Sequence, residues 1–152
     1  MGLKVTQFLA LLLTALALVP TGVHLFELPN KISLSEEQYF TVQGIYRGWA
    51  LFGIALFGAA IADLALVVLL RRQRVASRWA IVALAAMLAT LAIFFVWTFP
   101  ANQATSNWTV VPGDWRDLRA QWEYSHAVNA VLTLLSFCAV ALSTVLARER
   151  RD

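Results

Sequence analysis

The sequence predicts an all-α fold, a bundle of four antiparallel transmembrane helices with two ordered outer loops. Three observations lead to this prediction. Apolar residues make up 60% of the 152-residue chain and charged residues only 14%, whereas soluble domains average about 45–50% and 25%. Four apolar runs each reach the roughly 20 residues that cross a membrane. The runs also lack the polar stripe that a helix of a water-soluble bundle carries.

The four runs define one integral membrane domain that covers residues 1–152. The predicted spans are about 5–28, 46–70, 79–99 and 124–147. Pro20 lies inside the first run, where a membrane helix tolerates a kink, and we expect Pro29 and Pro100 to end spans one and three. The first run exceeds the apolar stretch of a signal peptide and no small-x-small cleavage site follows it, which favours an uncleaved helix.

The basic residues predict the orientation. One side of the predicted membrane carries eight of them: Lys4, Arg71, Arg72, Arg74, Arg78, Arg148, Arg150 and Arg151. The other side carries four: Lys31, Arg47, Arg116 and Arg119. The positive-inside rule therefore places both termini in the cytoplasm, in the inner membrane if the host is bacterial. The same rule accounts for the arginine cluster at 71–74, so we do not expect a nucleic-acid partner. A single cysteine, Cys138, excludes an internal disulfide.

The two outer loops show helix signals. Two overlapping capping boxes pair Ser33 with Glu36 and Ser35 with Gln38, and they predict a helix that starts near Glu36 and enters span two. Glycines at positions 44 and 48 permit a bend there.

A second outer helix is predicted before span four. We expect Asp114 to cap it and the helix to continue unbroken into the span. Its Trp115 and Trp122 share one face with Leu118, and together with Trp108 these tryptophans are typical either of an interfacial aromatic belt or of a surface that stacks on a planar ligand.

Ionisable residues near the spans carry the functional prediction, because they are costly there. His24 and Glu27 end the first span, and Glu123 and His126 begin the fourth. Each pair is three residues apart and so shares a helix face. Because helices one and four run antiparallel, we expect the four side chains to form one cluster at the outer end of the bundle.

This cluster has three interpretations. It resembles a carboxylate-histidine metal site, with His24, Glu27, Glu123 and His126 as ligands of one iron, zinc, manganese or copper ion. Alternatively it holds no metal, and Glu27 or Glu123 serves as a base. A b-type haem between the two histidines is the weaker alternative. Further polar or aromatic residues at the same level are candidates for ligand binding: Tyr46, Arg47, Asn102, Asn107, Trp108, Trp115 and Trp122. Asp63, inside span two, is expected to pair with Thr14 or Ser136, or to accept a proton.

The segments 22–27, 107–108 and 115–126 resemble the anthrone oxygenase-like family of small four-helix membrane proteins. The most specific part is the run W-x-x-L-R-x-x-W-E-x-x-H, which ends at His126. The resemblance implies oxidation of anthrones to anthraquinones with dioxygen, and it directs attention to Asn107, Arg119, Trp122, Glu123 and His126. Asn129 departs from the pattern, since a basic residue is expected there in many relatives.

The sequence thus favours a membrane-embedded oxygenase or oxidoreductase that acts on a lipophilic aromatic or quinone-like compound, with Glu27, Glu123, His126 and Arg119 as catalytic residues. The alternative is a non-enzymatic protein that binds a lipophilic ligand or serves as a subunit of a membrane complex. The expected partners are the lipid bilayer and a lipophilic small molecule, and a homo-oligomer is also compatible with the sequence.

Overall fold

The protein is an all-α bundle in the computed structural model, which describes residues 2–148. Within that range the chain contains no β-strand, and this confirms the predicted fold class. The helices, numbered in chain order, are α1 (Gly2–Lys31), α2 (Glu36–Gln43), α3 (Gly53–Leu70), α4 (Arg74–Ile93), α5 (Phe99–Ala104) and α6 (Trp115–Val145).

Four helical stretches are long and apolar enough to cross a membrane. They are Gly2–Lys31, Trp49–Leu70, Arg74–Ala104 and Trp115–Val145. Their number and order confirm the four predicted spans. Three of them have 30 or 31 residues, about 45 Å at 1.5 Å per residue, so they extend beyond a hydrocarbon core of about 30 Å. The extra turns build the outer part of the molecule.

Neither proline predicted to end a span does so. α1 continues through Pro20 and Pro29 to Lys31. Its last turn is fixed by contacts of the buried Lys31 side chain, which offset the hydrogen bond that Pro29 cannot donate. Pro100 lies at the start of α5, where a missing amide hydrogen costs little. A π-helical turn, Phe94–Thr98, joins α4 to α5 without interrupting the span.

The segment after α1 forms a short helix that lies over the bundle. Ser35 caps α2, and its side chain accepts from Gln38 N at 3.4 Å while Gln38 Oε1 accepts from Ser35 N at 3.2 Å. Of the two capping boxes in the sequence, this is the one that forms, and Ser33 instead donates to Asn30 O. α2 does not run straight into span two. The chain passes through 3-10 turns on either side of Gly48, whose φ of 90° turns the backbone.

α6 runs without a break from the outer loop to the inner end of the bundle, as predicted. Asp114 occupies the N-cap position, but its side chain makes no capping hydrogen bond. Its backbone carbonyl accepts instead from the amides of Asp117 and Leu118, at 3.0 and 3.2 Å. The predicted cap is therefore wrong in its chemistry although right in its position.

The two ends of the bundle have different cores. Small aliphatic side chains fill the inner end: Ala10, Ala62, Leu66, Leu70, Ala76, Ala80, Ala83, Ala139 and Val140. Aromatic side chains fill the outer end: Tyr39, Trp108, Trp115 and Trp122, with Ala101. The three tryptophans are 4–6% exposed, so they are not the lipid-facing belt that the sequence allowed. α2 covers Trp108 and Trp115, because Tyr39 and Phe40 pack against those two rings.

Candidate functional site

The two histidines of the chain meet between α1 and α6 at the outer end. The ring centroids of His24 and His126 are 4.2 Å apart. Trp122 packs edge-on against both rings, at 4.8 and 4.2 Å between centroids. Tyr46 contacts His24 from the other side at 4.6 Å. Antiparallel packing thus brings the two His/Glu motifs to one level, as their mirrored order implied.

Both glutamates belong to a network around the buried Lys31, in which Glu123 is buried and Glu27 is half-buried. Glu123 Oε1 lies 2.9 Å from Lys31 Nζ, and the two side chains are 0% and 4% exposed. Tyr39 donates to the same oxygen at 3.0 Å, and Gln43 Nε2 donates to the Tyr39 hydroxyl at 2.6 Å. This carboxylate is therefore held by a cation and a phenol.

Glu27 is held in a similar way through Tyr46. Lys31 Nζ donates to the Tyr46 hydroxyl at 3.0 Å, and that hydroxyl donates to Glu27 Oε2. Lys31 Nζ also lies over the rings of Tyr46 and Trp122, at 4.4 and 4.6 Å from their centroids. His24 Nδ1 is 3.8 Å from Glu27 Oε2, too far for a hydrogen bond.

The sequence analysis missed Lys31, Tyr39 and Gln43 as members of the site. Because the helix was predicted to end at Pro29, the spacing of Lys31 from Glu27 and His24 was not considered. If α1 continues, Lys31 follows Glu27 by four residues and His24 by seven, on the same face. Tyr39 and Gln43 are also four residues apart, on one face of α2.

The tyrosine hydroxyls of this network stay protonated over the ordinary pH range. Burial raises the pKa of Tyr39 well above its usual value, and the neighbouring Glu123 carboxylate raises the pKa further. Burial also raises the pKa of Tyr46, and the hydrogen bond to Glu27 adds to that effect. Both phenols therefore act as donors that fix carboxylates in place.

A cavity of about 660 Å³ opens beneath this network. Eight of the predicted site residues line it: His24, Tyr46, Arg47, Asn102, Asn107, Trp108, Trp122 and His126. Polar and aromatic residues that the sequence analysis did not assign to the site also line it, among them Gln43, Trp49 and Asn129. Its deeper part is lined by Ala17, Leu56, Thr90 and Leu91. The cavity therefore has a polar, aromatic end and a mostly apolar end.

Four predicted site residues do not line the cavity: Glu27, Glu123, Arg119 and Trp115. The two glutamates lie one turn closer to the outer end than their histidines and belong to the Lys31 network. Arg119 Nη1 donates to Leu34 O at 2.8 Å, and its guanidinium lies 4.8 Å from the centroid of the Trp115 ring. Arg119 and Trp115 thus hold the outer loop onto α6.

Several buried polar atoms at the cavity have no partner among residues 2–148. They are His24 Nδ1, His126 Nδ1, Gln43 Oε1 and Asn129 Oδ1. Asn102 is different, since its Oδ1 accepts from Trp108 Nε1 at 3.1 Å and from Trp122 Nε1 at 2.8 Å. Buried groups of this kind are nearly always hydrogen-bonded. These atoms belong to residues that line one cavity, so its polar end is also where buried polar groups are least satisfied.

The wall of the cavity includes a strained turn. Ser106, Asn107 and Trp108 all have positive φ values, of 49°, 56° and 61°. The left-handed conformation costs roughly 1–2 kcal/mol per non-glycine residue. It is held by Asn107 N donating to Asn102 O at 2.7 Å and by Trp108 N donating to Thr105 Oγ1 at 3.0 Å. Such strain is concentrated at functional sites, where it orients side chains.

The arrangement does not fit a metal ion or a haem. Within the described part of the chain, no group of three or more His, Cys, Asp or Glu side chains is placed to hold a metal. Lys31 and Tyr39 contact Glu123 Oε1, and the Lys31 ammonium beside that carboxylate repels a second cation. The rings of His24 and His126 are in contact, which leaves no space for a porphyrin between them.

Comparisons of the chain with protein-family models, with curated proteins and with solved structures found no match.

Proposed function

We propose that the protein is a membrane-embedded oxygenase that binds a lipophilic, hydroxylated aromatic compound in the cavity and takes a proton from it with the His24–His126 pair. One observation carries this proposal: the two imidazoles touch each other, have no hydrogen-bond partner at Nδ1 among residues 2–148, and line the cavity. The motif resemblance agrees with this chemistry.

The cavity suits such a ligand in size and lining. Its volume of about 660 Å³ lies within the roughly 300–1,000 Å³ typical of small-molecule sites. Trp108 and Trp122 offer rings to a planar ligand. Gln43 and Asn129 also line the cavity, and their amide groups can donate and accept hydrogen bonds, which favours a ligand that carries hydroxyl groups.

The imidazole pair suits the role of base. Two positive charges in contact, with Lys31 close by, repel strongly in a medium of low dielectric constant. The pair therefore holds at most one extra proton. When both imidazoles are neutral, one of them can accept that proton from the ligand. Glu27 and Glu123 support the pair indirectly. Glu27 fixes Tyr46, which packs against the His24 ring, and Glu123 fixes Lys31 over the rings of Tyr46 and Trp122.

The reaction balances with dioxygen as the oxidant. An imidazole removes a proton from an activated ring methylene and leaves a carbanion. The carbanion adds dioxygen, forming a C–O bond, and the imidazolium returns its proton to give a hydroperoxide. Loss of water then leaves a carbonyl, so that CH₂ and O₂ become C=O and H₂O. The electrons pass directly from carbon to oxygen.

The test is turnover of a hydroxylated anthrone by the purified protein in lipid nanodiscs. Anthraquinone absorbance and dioxygen uptake would be recorded together. We expect His126→Asn to lower the rate by roughly 10²–10⁴-fold, the usual contribution of a general base. Quenching of tryptophan fluorescence should show that the variant still binds the anthrone within a few-fold of the parent.

Trp97→Phe serves as the control, because Trp97 is 49% exposed and does not line the cavity. It should keep the parental rate. Full activity of both His24→Asn and His126→Asn would refute the proposal, whereas binding without turnover in the parent would support a ligand-binding protein instead.

We propose further that both termini lie in the cytoplasm, so that the cavity opens in the outer half of the membrane. The excess of basic residues at the inner end supports this orientation. Reporter fusions after Arg74 and after Asp114 should report opposite sides of the membrane, with Arg74 inside. The reverse assignment would place the cavity in the cytoplasmic half.

A further inference from the structure

A second buried polar site lies deeper in the bundle, at Asp63 of α3. Its side chain is 0% exposed. Oδ2 lies 3.4 Å from Ser136 Oγ, but that hydroxyl is closer to Ala83 O, at 3.1 Å, and has only one proton to donate. Oδ1 has no hydrogen-bond partner among the described residues. Among residues 2–148, Asp63 thus has one long hydrogen bond, from Ser136, and no cation beside it.

Asp63 lies about two helical turns from the cavity, toward the inner end of the bundle. Ser136 Oγ connects it to α6 and to Ala83 of α4. Seven residues separate Asp63 from Leu56 on α3, Ala83 from Thr90 on α4, and Ser136 from Asn129 on α6. Leu56, Thr90 and Asn129 all line the cavity. Seven residues of α-helix rise about 10 Å.

The region between Asp63 and the cavity contains buried polar groups. On α6, Asn129, Thr133 and Ser136 follow one another at helical spacing, and they are 3%, 0% and 0% exposed. Thr14 of α1 is 0% exposed as well. Each threonine hydroxyl donates to a carbonyl of its own helix, which leaves its oxygen free to accept a further hydrogen bond.

The layer directly on the inner side of Asp63 is apolar, and it separates Asp63 from the buried Ser143 and Gln7, which lie further toward the inner end. Ala62, Leu66 and Leu70 of α3 pack there with Ala139 and Val140 of α6. On each of the four packed helices one residue marks the level of Asp63: Thr14, Asp63, Ala83 and Ser136. The charged or titratable residues nearest to that level are Lys4, Arg71, Arg78, His126 and Cys138. Each of them except Cys138 is at least five residues from the marker residue of its own helix, and Cys138 is exposed.

We propose that Asp63 is a proton-binding site that exchanges its proton with the outer cavity, and not with the inner membrane face. The carboxylate takes up a proton delivered from the cavity along the Asn129–Thr133–Ser136 face and becomes a neutral carboxyl group, and the reverse transfer returns the proton. This site is separate from the proposed oxygenase chemistry, and its test requires no substrate.

The test is infrared spectroscopy of the whole protein in lipid vesicles. A protonated carboxylic acid has a carbonyl band distinct from that of a carboxylate. We expect this band in the parent and its complete loss in Asp63→Asn, which keeps the size and shape of the side chain. Ser136→Ala should shift the band without removing it, because it deletes the one hydroxyl near the carboxyl. Ser136→Ala also tests the assignment if Asp63→Asn fails to fold.

The route is tested by the rate at which the band shifts after transfer to D₂O. Thr133→Val removes a hydroxyl between Asp63 and the cavity and should slow deuteration at least tenfold. Thr144→Val is the control, since Thr144 lies on the same helix toward the inner end and its hydroxyl, unlike that of Thr133, has no hydrogen-bond partner among the described residues; it should leave the rate unchanged. A band that persists in Asp63→Asn, or equal rates for the parent and Thr133→Val, would overturn the proposal.

Discussion

The inner and outer halves of the bundle differ in how they are packed. In the inner half, alanines at 76, 80, 83 and 139 are 0–1% exposed and let the helices approach closely. In the outer half, rings and hydrogen-bonded side chains enclose a cavity, and a turn of three residues has left-handed backbone. Apart from Asp63, the inner half resembles a core that is built for stability. The outer half tolerates cost in the form of buried charge, unpartnered atoms and strain, which is typical of a site that binds something.

The largest expected effect tests the buried ion pair of the outer half. Glu123→Leu leaves the Lys31 ammonium buried without its carboxylate, and we expect a loss of about 3–5 kcal/mol in the free energy of unfolding. Denaturant titration in detergent, followed by tryptophan fluorescence, measures it. The double variant Lys31→Met with Glu123→Leu should recover most of the loss, because no isolated charge remains.

Glu37→Leu is the control for this cycle, since Glu37 is exposed on α2. A surface substitution of this kind changes stability by no more than about 0.5 kcal/mol. If the double variant were as unstable as Glu123→Leu alone, the network would act through its hydrogen bonds rather than through its charge balance.

The next effect compares the two halves directly. Ala83→Leu adds volume to the closely packed inner half, where Ala83 is 0% exposed, and should cost about 1–3 kcal/mol. Ala17→Leu makes the same change at a residue that lines the cavity. We expect it to cost less, because the added side chain can occupy the cavity, and to weaken anthrone binding. Equal losses of stability would mean that the cavity cannot accept a larger side chain.

The spans and the meeting of the two histidines could be predicted because they depend on local features. Apolar length decides where a chain crosses a membrane, and three-residue spacing decides which side chains share a helix face. The antiparallel order of helices one and four then sets their level. These rules apply without knowing which side chains from other segments of the chain pack against a given helix.

Which of the clustered residues line the cavity and which belong to the Lys31 network could not be predicted in the same way. His24 and Glu27 share a face of α1 but differ by almost a turn, and only the histidine reaches the cavity. The glutamate meets Tyr46, whose position depends on the bend at Gly48. The end of α1 was misplaced for a related reason, because contacts of Lys31 with other segments outweigh the local effect of Pro29.

A smaller effect concerns the bend that places α2 over the cavity. Gly48 has a φ of 90° and Gly44 a φ of −61°, and an added Cβ would meet no atom within 4 Å at either residue. Gly48→Ala should therefore cost about 1–2 kcal/mol through its backbone alone. Gly44→Ala, the control, should be neutral or stabilise by up to about 1 kcal/mol. Thermal unfolding in detergent compares them, and equal midpoints would argue against the left-handed bend.

The smallest effect is a dependence on alkaline pH that belongs to the outer half. Because the pKa of Tyr39 is raised in the folded protein, the folded state keeps a proton that the unfolded state releases above about pH 10. Stability should therefore fall as the pH rises beyond that point, by about 1.4 kcal/mol per pH unit for this one group. Tyr39→Phe removes the group, so its free energy of unfolding should fall with pH less steeply by that amount. Between about pH 7 and 9 the slopes of the parent and the variant should agree, since neither state exchanges the proton there. Equal slopes above pH 10 would show that the Tyr39 hydroxyl is open to water rather than enclosed between Gln43 and Glu123.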